Sequence, residues 1–425
     1  MELQNLKYSL FLHRRFLPVF LATFLGAFND NMLRSGLVVM IAYSASKGIT
    51  LPARPEILVT ICSALLVAPM ILFAPLAGAL ADKFEKSFLV VCTKIAELLI
   101  MIGALYGFAT QNIPLLMLLL FFSGTHTTFY SPIKFSILPE HLRESELLAG
   151  NGFVAGGSYL AVLLGLVAGG LLIEMPDNLI GTSLLVIAVV GLVASLFIPK
   201  TTAAHPEAPM HWNLWRGGCA MVAQAWADRP AFHNILALSW FALFSSVYMA
   251  QFANFAHGVV KANNEVYILF LSVFSLGIAI GSLLCDTLLK GQISSKLTPL
   301  SAFGTALFTY LMVLSIPTPT HEGLLDVVDF IQVPALWPML LCMLMVAVSG
   351  GIYIVPLYAL LQSRCQPEYR SRMIAASNLS DAVFMTLAAL VSAVMLWAGL
   401  SITDLFVMVA TLNLGVVWYA RKMVS

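Results

Sequence analysis

Charge is what this chain has least of. Only 10% of its 425 residues are Asp, Glu, Lys or Arg, and 22 basic residues nearly cancel 21 acidic ones, leaving a net charge of +1. No basic block occurs outside short connections, so nothing offers a phosphate backbone the run of cations it needs, and no nucleic-acid partner is expected. Cysteine is thin as well. Six stand singly, with Cys62, Cys92, Cys285 and Cys342 in apolar runs and Cys219 and Cys365 in inner connections, so neither a disulfide framework nor a CxxC metal site is expected. The phosphate-cradling pattern GxxxxGK[ST] is missing, which argues against ATP hydrolysis. The alternating segments of about ten residues that build a transmembrane barrel are missing too.

What fills the chain is apolar: 60% hydrophobic residues and a mean hydropathy of +0.91. Soluble domains do not look like this. Apolar stretches of roughly 18 residues or more recur throughout, each long enough to cross a bilayer core. They predict an all-α membrane protein with about twelve transmembrane helices, over 16–43, 57–81, 87–108, 113–131, 148–173, 180–198, 231–258, 266–289, 299–316, 335–361, 373–398 and 402–420. Arg14 and Arg15 precede the first span as in a signal peptide, but the span is too long and no small-residue cleavage site comes before Asp30. It is expected to stay as an uncleaved anchor.

Basic residues orient the spans. Placing the N-terminus in the cytoplasm leaves Lys47, Arg54 and Lys261 outside and Arg34 and Lys94 within spans, and puts the remaining 17 of the 22 on the inner side. That bias predicts cytoplasmic N- and C-termini, with Ala109 and Ser401 outside and Ser371 inside.

A polar connection over 200–230 separates an N-terminal bundle, 1–199, from a C-terminal one, 231–425. Its run "HWNLWRGG" from His211, with Trp212, Trp215 and Trp226 beside basic residues, predicts a short helix lying at the membrane surface. The halves echo each other. "PEHLRESELLAGN" from Pro139 pairs with "PEYRSRMIAASN" from Pro367, and "GALADKFEK" from Gly78 pairs more faintly with "GSLLCDTLLKG" from Gly281. Two parallel six-helix repeats are the architecture of major facilitator transporters. Gly78, Leu80, Asp82 and Lys83 match that superfamily's G-x-L-x-D-[RK] pattern, in which the glycine permits close helix approach and the aspartate caps a helix or pairs with a cation. Asp82 and Lys83 are therefore candidate gating residues. Glu85 departs from the pattern, standing where a glycine is usual. Asn151 and Asn378, in equivalent positions of the two repeats, are read as helix caps or as gate contacts.

Polar residues inside apolar spans mark the candidate site. "TFLGAFNDNMLRSGLVVMI" from Thr23 carries Asn29, Asp30, Asn31 and Arg34, and a carboxylate there is costly unless paired, wet or neutralised. Asp30 and Arg34 share a helix face. They form a structural pair, or Asp30 binds a coupling cation or an ammonium headgroup. In the fourth span, "SGTHTTFYSPIK" supplies His126 and Lys134, the latter able to meet phosphate or an inner gate. Tyr248 and Gln251 belong to the polar content of the seventh span. Lys94 and Glu97 make a second intramembrane pair, read as structural. No catalytic or metal-ligating set is expected.

The opening stretch, "YSPIKFSILPEHL" from Tyr130, "ELLAGNGFVAGGSYLAVLLGLVAGG" from Glu146 and "VPLYALLQ" from Val355 together resemble the lysophospholipid transporter (LplT) family. They are most similar to the transporter half of bacterial fusions with an acylglycerophosphoethanolamine acyltransferase. The resemblance implies a carrier, not an enzyme, that moves lysophospholipid such as lysophosphatidylethanolamine from the outer to the inner leaflet of a bacterial inner membrane. It implies no cofactor, a Na⁺ or H⁺ gradient as driving force, and reacylation by a separate acyltransferase. This chain departs in having no Arg or Lys in the seventh span before Lys261. Rival readings are an efflux carrier for amphipathic drugs, a non-transporting membrane factor, and a membrane acyltransferase, the last resting on the H-x4-D spacing of His321 and Asp326.

Overall fold

The computed structural model describes residues 10–42, 54–207, 213–318 and 323–424. Lys7, Lys47, Pro209, His211, Trp212 and His321 lie outside the described residues, as does the side chain of Lys422. The secondary structure is almost wholly helical. The first half runs α1 (Leu17–Ala42), α2 (Pro55–Lys83), α3 (Lys86–Ala109), α4 (Ile113–Ser136), α5 (Glu144–Leu172) and α6 (Leu179–Leu196). After the connecting helix α7 (Leu214–Ala227) come α8 (Arg229–Asn254), α9 (Asn264–Leu288), α10 (Thr298–Leu314), α11 (Trp337–Arg364), α12 (Arg370–Trp397) and α13 (Ile402–Val424).

Among the described residues, 11 helices are long and apolar enough to cross a membrane. The twelfth predicted span, α1, is 26 residues or about 39 Å long, with the polar run from Asn29 to Arg34 in its middle. Large apolar side chains such as Leu99, Tyr106, Leu196 and Val394 stay more than half exposed, as lipid-facing residues do.

Contacts group the chain into two compact units. One comprises Met1–Gly150, Leu160–Phe232 and Leu361–Leu379; the other comprises Asn151–Tyr159, His233–Leu360 and Ser380–Ser425. In the first unit α1 packs on α4 and α6, α3 on α4 and α6, and α2 on α4. Its core is aliphatic, with Met32, Leu33, Leu37, Met101, Leu120 and Leu184 all buried. The second unit has an aromatic core in which Tyr248 stacks on Phe406 at 4.7 Å and on Phe274 at 5.8 Å, with Phe252 edge-on. Much of the chain's phenylalanine is thus spent on packing.

Helix ends explain two departures from the sequence reading. Glu85 replaces the usual glycine with a side-chain cap: it accepts from the Ser87 and Phe88 amides at 3.1 and 3.0 Å, closing the start of α3. It also takes the Thr201 amide at 2.8 Å, fastening the chain beyond α6. Asn151 and Asn378 do not cap helices. Glu146 accepts from the Arg143 amide at 2.9 Å and a 3₁₀ turn over Pro367–Tyr369 leads into α12, so both helices begin about two turns earlier than the asparagines. The connecting helix forms: Asn213 caps α7, its side chain accepting from the Arg216 amide at 3.1 Å, and Trp215 and Trp226 are exposed, Trp226 against Arg229.

Candidate functional site

The polar run of α1 faces into the first unit. Asp30 accepts hydrogen bonds from Ser123 Oγ at 2.5 Å and Thr127 Oγ1 at 2.6 Å, one turn apart on α4. Spacing of four residues puts both hydroxyls on one face of α4, and each binds a different carboxylate oxygen. Arg34, one turn further along α1, donates to Ser63 of α2 at 3.4 Å. Asp30 and Arg34 therefore share a face but reach different helices.

Asn29, fully buried, donates to Glu97 Oε1 and to the Leu184 carbonyl, each at 3.2 Å. Glu97 in turn pairs with Lys94 at 2.6 Å, both side chains sealed from solvent. Two buried ions are tolerable only when they pair closely and their remaining groups find partners, as the Asn29 amide provides here. Lys94 also lies 5.2 Å from the centre of the Tyr130 ring, and Tyr130 shares a hydrogen bond of 2.9 Å with Thr23. Gly26 leaves room for the ammonium, since a Cβ there would stand 2.7 Å from Lys94 Nζ. Read as a structural pair, Lys94 and Glu97 are indeed buried. Sequence reasoning missed that they join Asn29, and that Ser123 and Thr127 hold Asp30.

His126 borders the same network. Its Nε2 is 3.7 Å from Glu97 Oε2, its ring stacks on Tyr130, and neither ring nitrogen has a hydrogen-bond partner. Its other side lines an apolar groove of about 520 Å³ along α2, α3 and α4, walled by residues such as Ala77, Ala96, Leu99 and Phe122. Lys134, two turns beyond His126 on α4, is half-buried and lies over the Phe135 ring at 4.9 Å, without an ion pair to Asp30. Asn31 turns away, donating to the Ala27 carbonyl of its own helix at 2.8 Å.

The gating candidates make their own contacts. Asp82, fully buried at the end of α2, accepts from the Ser371 and Arg372 amides at 2.9 and 3.1 Å, with Arg372 Nε 3.7 Å away. A carboxylate thus sits on the first-turn N–H groups of α12, where the helix dipole is positive. Gly78 permits this approach: a Cβ there would come within 2.7 Å of Ala375 Cβ. Asn378 donates to Ser131 Oγ at 2.9 Å. Lys83 is half-buried beside Asp82, and Asn151 is buried within α5.

Tyr248 and Gln251 belong to the second unit. The Tyr248 hydroxyl meets Thr309 at 2.5 Å inside the aromatic core, and Gln251 accepts from Asn254 at 3.0 Å. Asp326 caps a short helix, one carboxylate oxygen accepting from the Asp329 amide at 2.8 Å, and His321, its partner in the H-x4-D reading, lies outside the described residues.

A two-bundle helical fold with a charged motif in its first span and a capping aspartate after its second defines a class. The Major Facilitator Superfamily profile matches residues 19–389, and the chain belongs to that superfamily. Its fold is that of the human organic anion transporter MFSD10 (TETRAN), with a TM-score of 0.75 at 13% identity, covering 97% of this chain and 99% of that one. The Escherichia coli fucose:proton symporter FucP gives 0.70 at 11%, covering 96% and 98%. Curated relatives narrow the class. The chain is 26% identical over 371 residues to the lysophospholipid transporter LplT of Shigella boydii serotype 4 (strain Sb227), covering 85% of this chain and 84% of that one, and matches LplT of Escherichia coli (strain K12 / DH10B) equally. The resemblance carried by the FNDN and SPIK segments is thereby supported over most of the chain.

Proposed function

We propose that this multi-pass membrane transporter moves lysophospholipid, with lysophosphatidylethanolamine as its reference substrate, from the outer to the inner leaflet of a bacterial inner membrane. The relatives' names support the substrate class, and one observation carries the site: Asp30, held by the Ser123 and Thr127 hydroxyls, and Lys134 stand on the packed helices α1 and α4 of one unit. A zwitterionic headgroup presents the complement, an ammonium to Asp30 and a phosphate to Lys134. Hydroxyls from Ser123 and Thr127 hold the Asp30 carboxylate without neutralising it. The apolar groove bordered by His126 offers a single acyl chain a dry wall within reach of the polar network.

Alternating access follows from the superfamily's two-repeat plan, 1–199 and 231–425 about the 200–230 connection. Asp82 and Asn378 bias it by tying first-half helices to α12. The excess of basic residues in inner loops supports cytoplasmic termini. A Na⁺ or H⁺ gradient supplies the drive, a separate acyltransferase consumes the product, and we assign Tyr248 to packing. Uptake of labelled lysophosphatidylethanolamine into proteoliposomes holding the purified chain, with and without each gradient, tests the reading. Uptake of a cationic amphipathic dye with no lysophospholipid movement would replace it with drug efflux.

A further inference from the structure

The described spans of the second half hold little charge, and what they hold lies near their ends, with one exception. Asp381 sits about midway along the span Pro367–Trp397 and is half-buried. Its Oδ1 accepts from Ser239 Oγ of α8 at 2.8 Å. Two phenols lie within Coulombic range of it in the same unit, Tyr159 from the Asn151–Tyr159 stretch of α5 and Tyr358 from α11. No Lys, Arg or His among the described residues pairs with it.

A lone carboxylate held by one neutral hydroxyl in a membrane span is an expensive group to keep ionised, and it is relieved by a bound cation or by a proton. A hard metal ion takes about six oxygen ligands, and intramembrane Na⁺ sites draw them from unwound backbone and broken helix ends. Here α12 runs unbroken through Asp381, and its described hydrogen-bonding oxygen is a single serine hydroxyl. A single hydroxyl hydrogen bond falls well short of the ligand set a metal ion takes, whereas a proton needs only one carboxylate oxygen.

We propose that Asp381 is the proton-binding carboxylate that couples transport to a proton gradient, in the second unit and separate from the Asp30 site. The proton comes from bulk water on the acidic side, binds the carboxylate to give a neutral acid, and returns to bulk water on the other side, so each cycle moves one proton with the substrate. Ser239 orients the carboxylate; Tyr159 and Tyr358 supply polarity without a compensating charge. The proposal specifies the driving ion of the transport reading above, but its chemistry can be read without substrate.

Two readouts on the full chain test it. Infrared difference spectra across a pH scan should show a protonated-carboxyl band that Asp381→Asn removes, that Asp381→Glu displaces, and whose midpoint Ser239→Ala alters. In proteoliposomes, an inward acid gradient should speed lysophosphatidylethanolamine uptake several-fold in the wild type and not in Asp381→Asn, while gradient-free exchange stays within about twofold. The same band in wild type and Asp381→Asn, or gradient stimulation that survives the substitution, overturns the proposal. If Asp381→Asn fails to insert, the Asp381→Glu and Ser239→Ala spectra decide, and an unshifted band in both overturns it. An Asp381-dependent band in a chain that exchanges no lysophospholipid supports the proton site and overturns the substrate reading instead.

Discussion

Asp82 caps a helix that begins almost three hundred residues later in the chain: its two carboxylate oxygens accept the Ser371 and Arg372 amides at 2.9 and 3.1 Å. A side-chain cap is worth about 1 kcal/mol, more where the group is buried and charged at a helix N-terminus. Asp82→Asn keeps one acceptor and removes the charge. Turnover should fall several-fold with substrate affinity unchanged, because a shift of a few kcal/mol in a gating equilibrium redistributes states without touching the ligand. Equal turnover in transport assays would remove Asp82 from the gate.

Glu85, between α2 and α3, supplies a pH dependence. Partial burial alone would raise its carboxyl, but hydrogen bonds from Ser87, Thr201 and Phe88 outweigh burial and hold it below the usual glutamate value. A depressed folded value means that the stabilisation is fully present above the ordinary glutamate range, about pH 4.3, and is lost as pH falls through the folded value. Melting temperature should therefore drop less steeply on acidification in Glu85→Gln than in the wild type, with the mutant already lower at neutral pH. Parallel acid limbs in the two proteins would contradict this.

Glu97→Gln leaves Lys94 buried without its counter-charge. Breaking a buried pair from one side costs about 3–5 kcal/mol, whereas replacing both partners by apolar residues is often near neutral. Lys94→Met together with Glu97→Leu should recover most of the lost thermal stability, and recovery of uptake as well would show that the pair acts only as scaffold. Loss of uptake in a stable double variant would place it in the transport site.

Cysteines at Ala109 and Ser401, both exposed, should react with an impermeant reagent from outside, and one at Glu368, also exposed, only after permeabilisation. The exposed native Cys92 and Cys219 are replaced first. Ser371, an inner position by sequence, is buried and makes a poor probe on either topology. Labelling at Glu368 in intact cells would reverse the assigned orientation.

Much of this was legible before any coordinates. Hydropathy located the helices because each must satisfy its own backbone in lipid, and the G-x-L-x-D-[RK] spacing of Gly78, Leu80 and Asp82 marked a contact that needs both a missing Cβ and a carboxylate. Which helix Asp82 would meet could not be read, because that contact joins residues 82 and 371. The same limit hid Ser123 and Thr127, ordinary hydroxyls whose importance comes only from facing Asp30 across a helix boundary. Asp381 escaped notice because a lone acid after "SNLS" looks like part of a polar helix start, whereas α12 begins at Arg370 and carries it to mid-span. For the same reason the cap alternative for Asn151 and Asn378 fell, leaving the gate-contact one.

The central claim is that Asp30 recognises substrate, and one variant tests it most directly. Asp30→Asn keeps one acceptor for Ser123 or Thr127 and can donate its amide to the other hydroxyl, while removing the charge that an ammonium would meet. Uptake of labelled lysophosphatidylethanolamine and thermal stability are measured on Asp30→Asn and on Asp30→Asn with Arg34→Gln. The account predicts that Asp30→Asn abolishes uptake, that stability changes by no more than about 1 kcal/mol, and that the second substitution restores nothing. Uptake retained in Asp30→Asn, or restored in the double variant, would mean that the charge serves Arg34 and that the headgroup binds elsewhere.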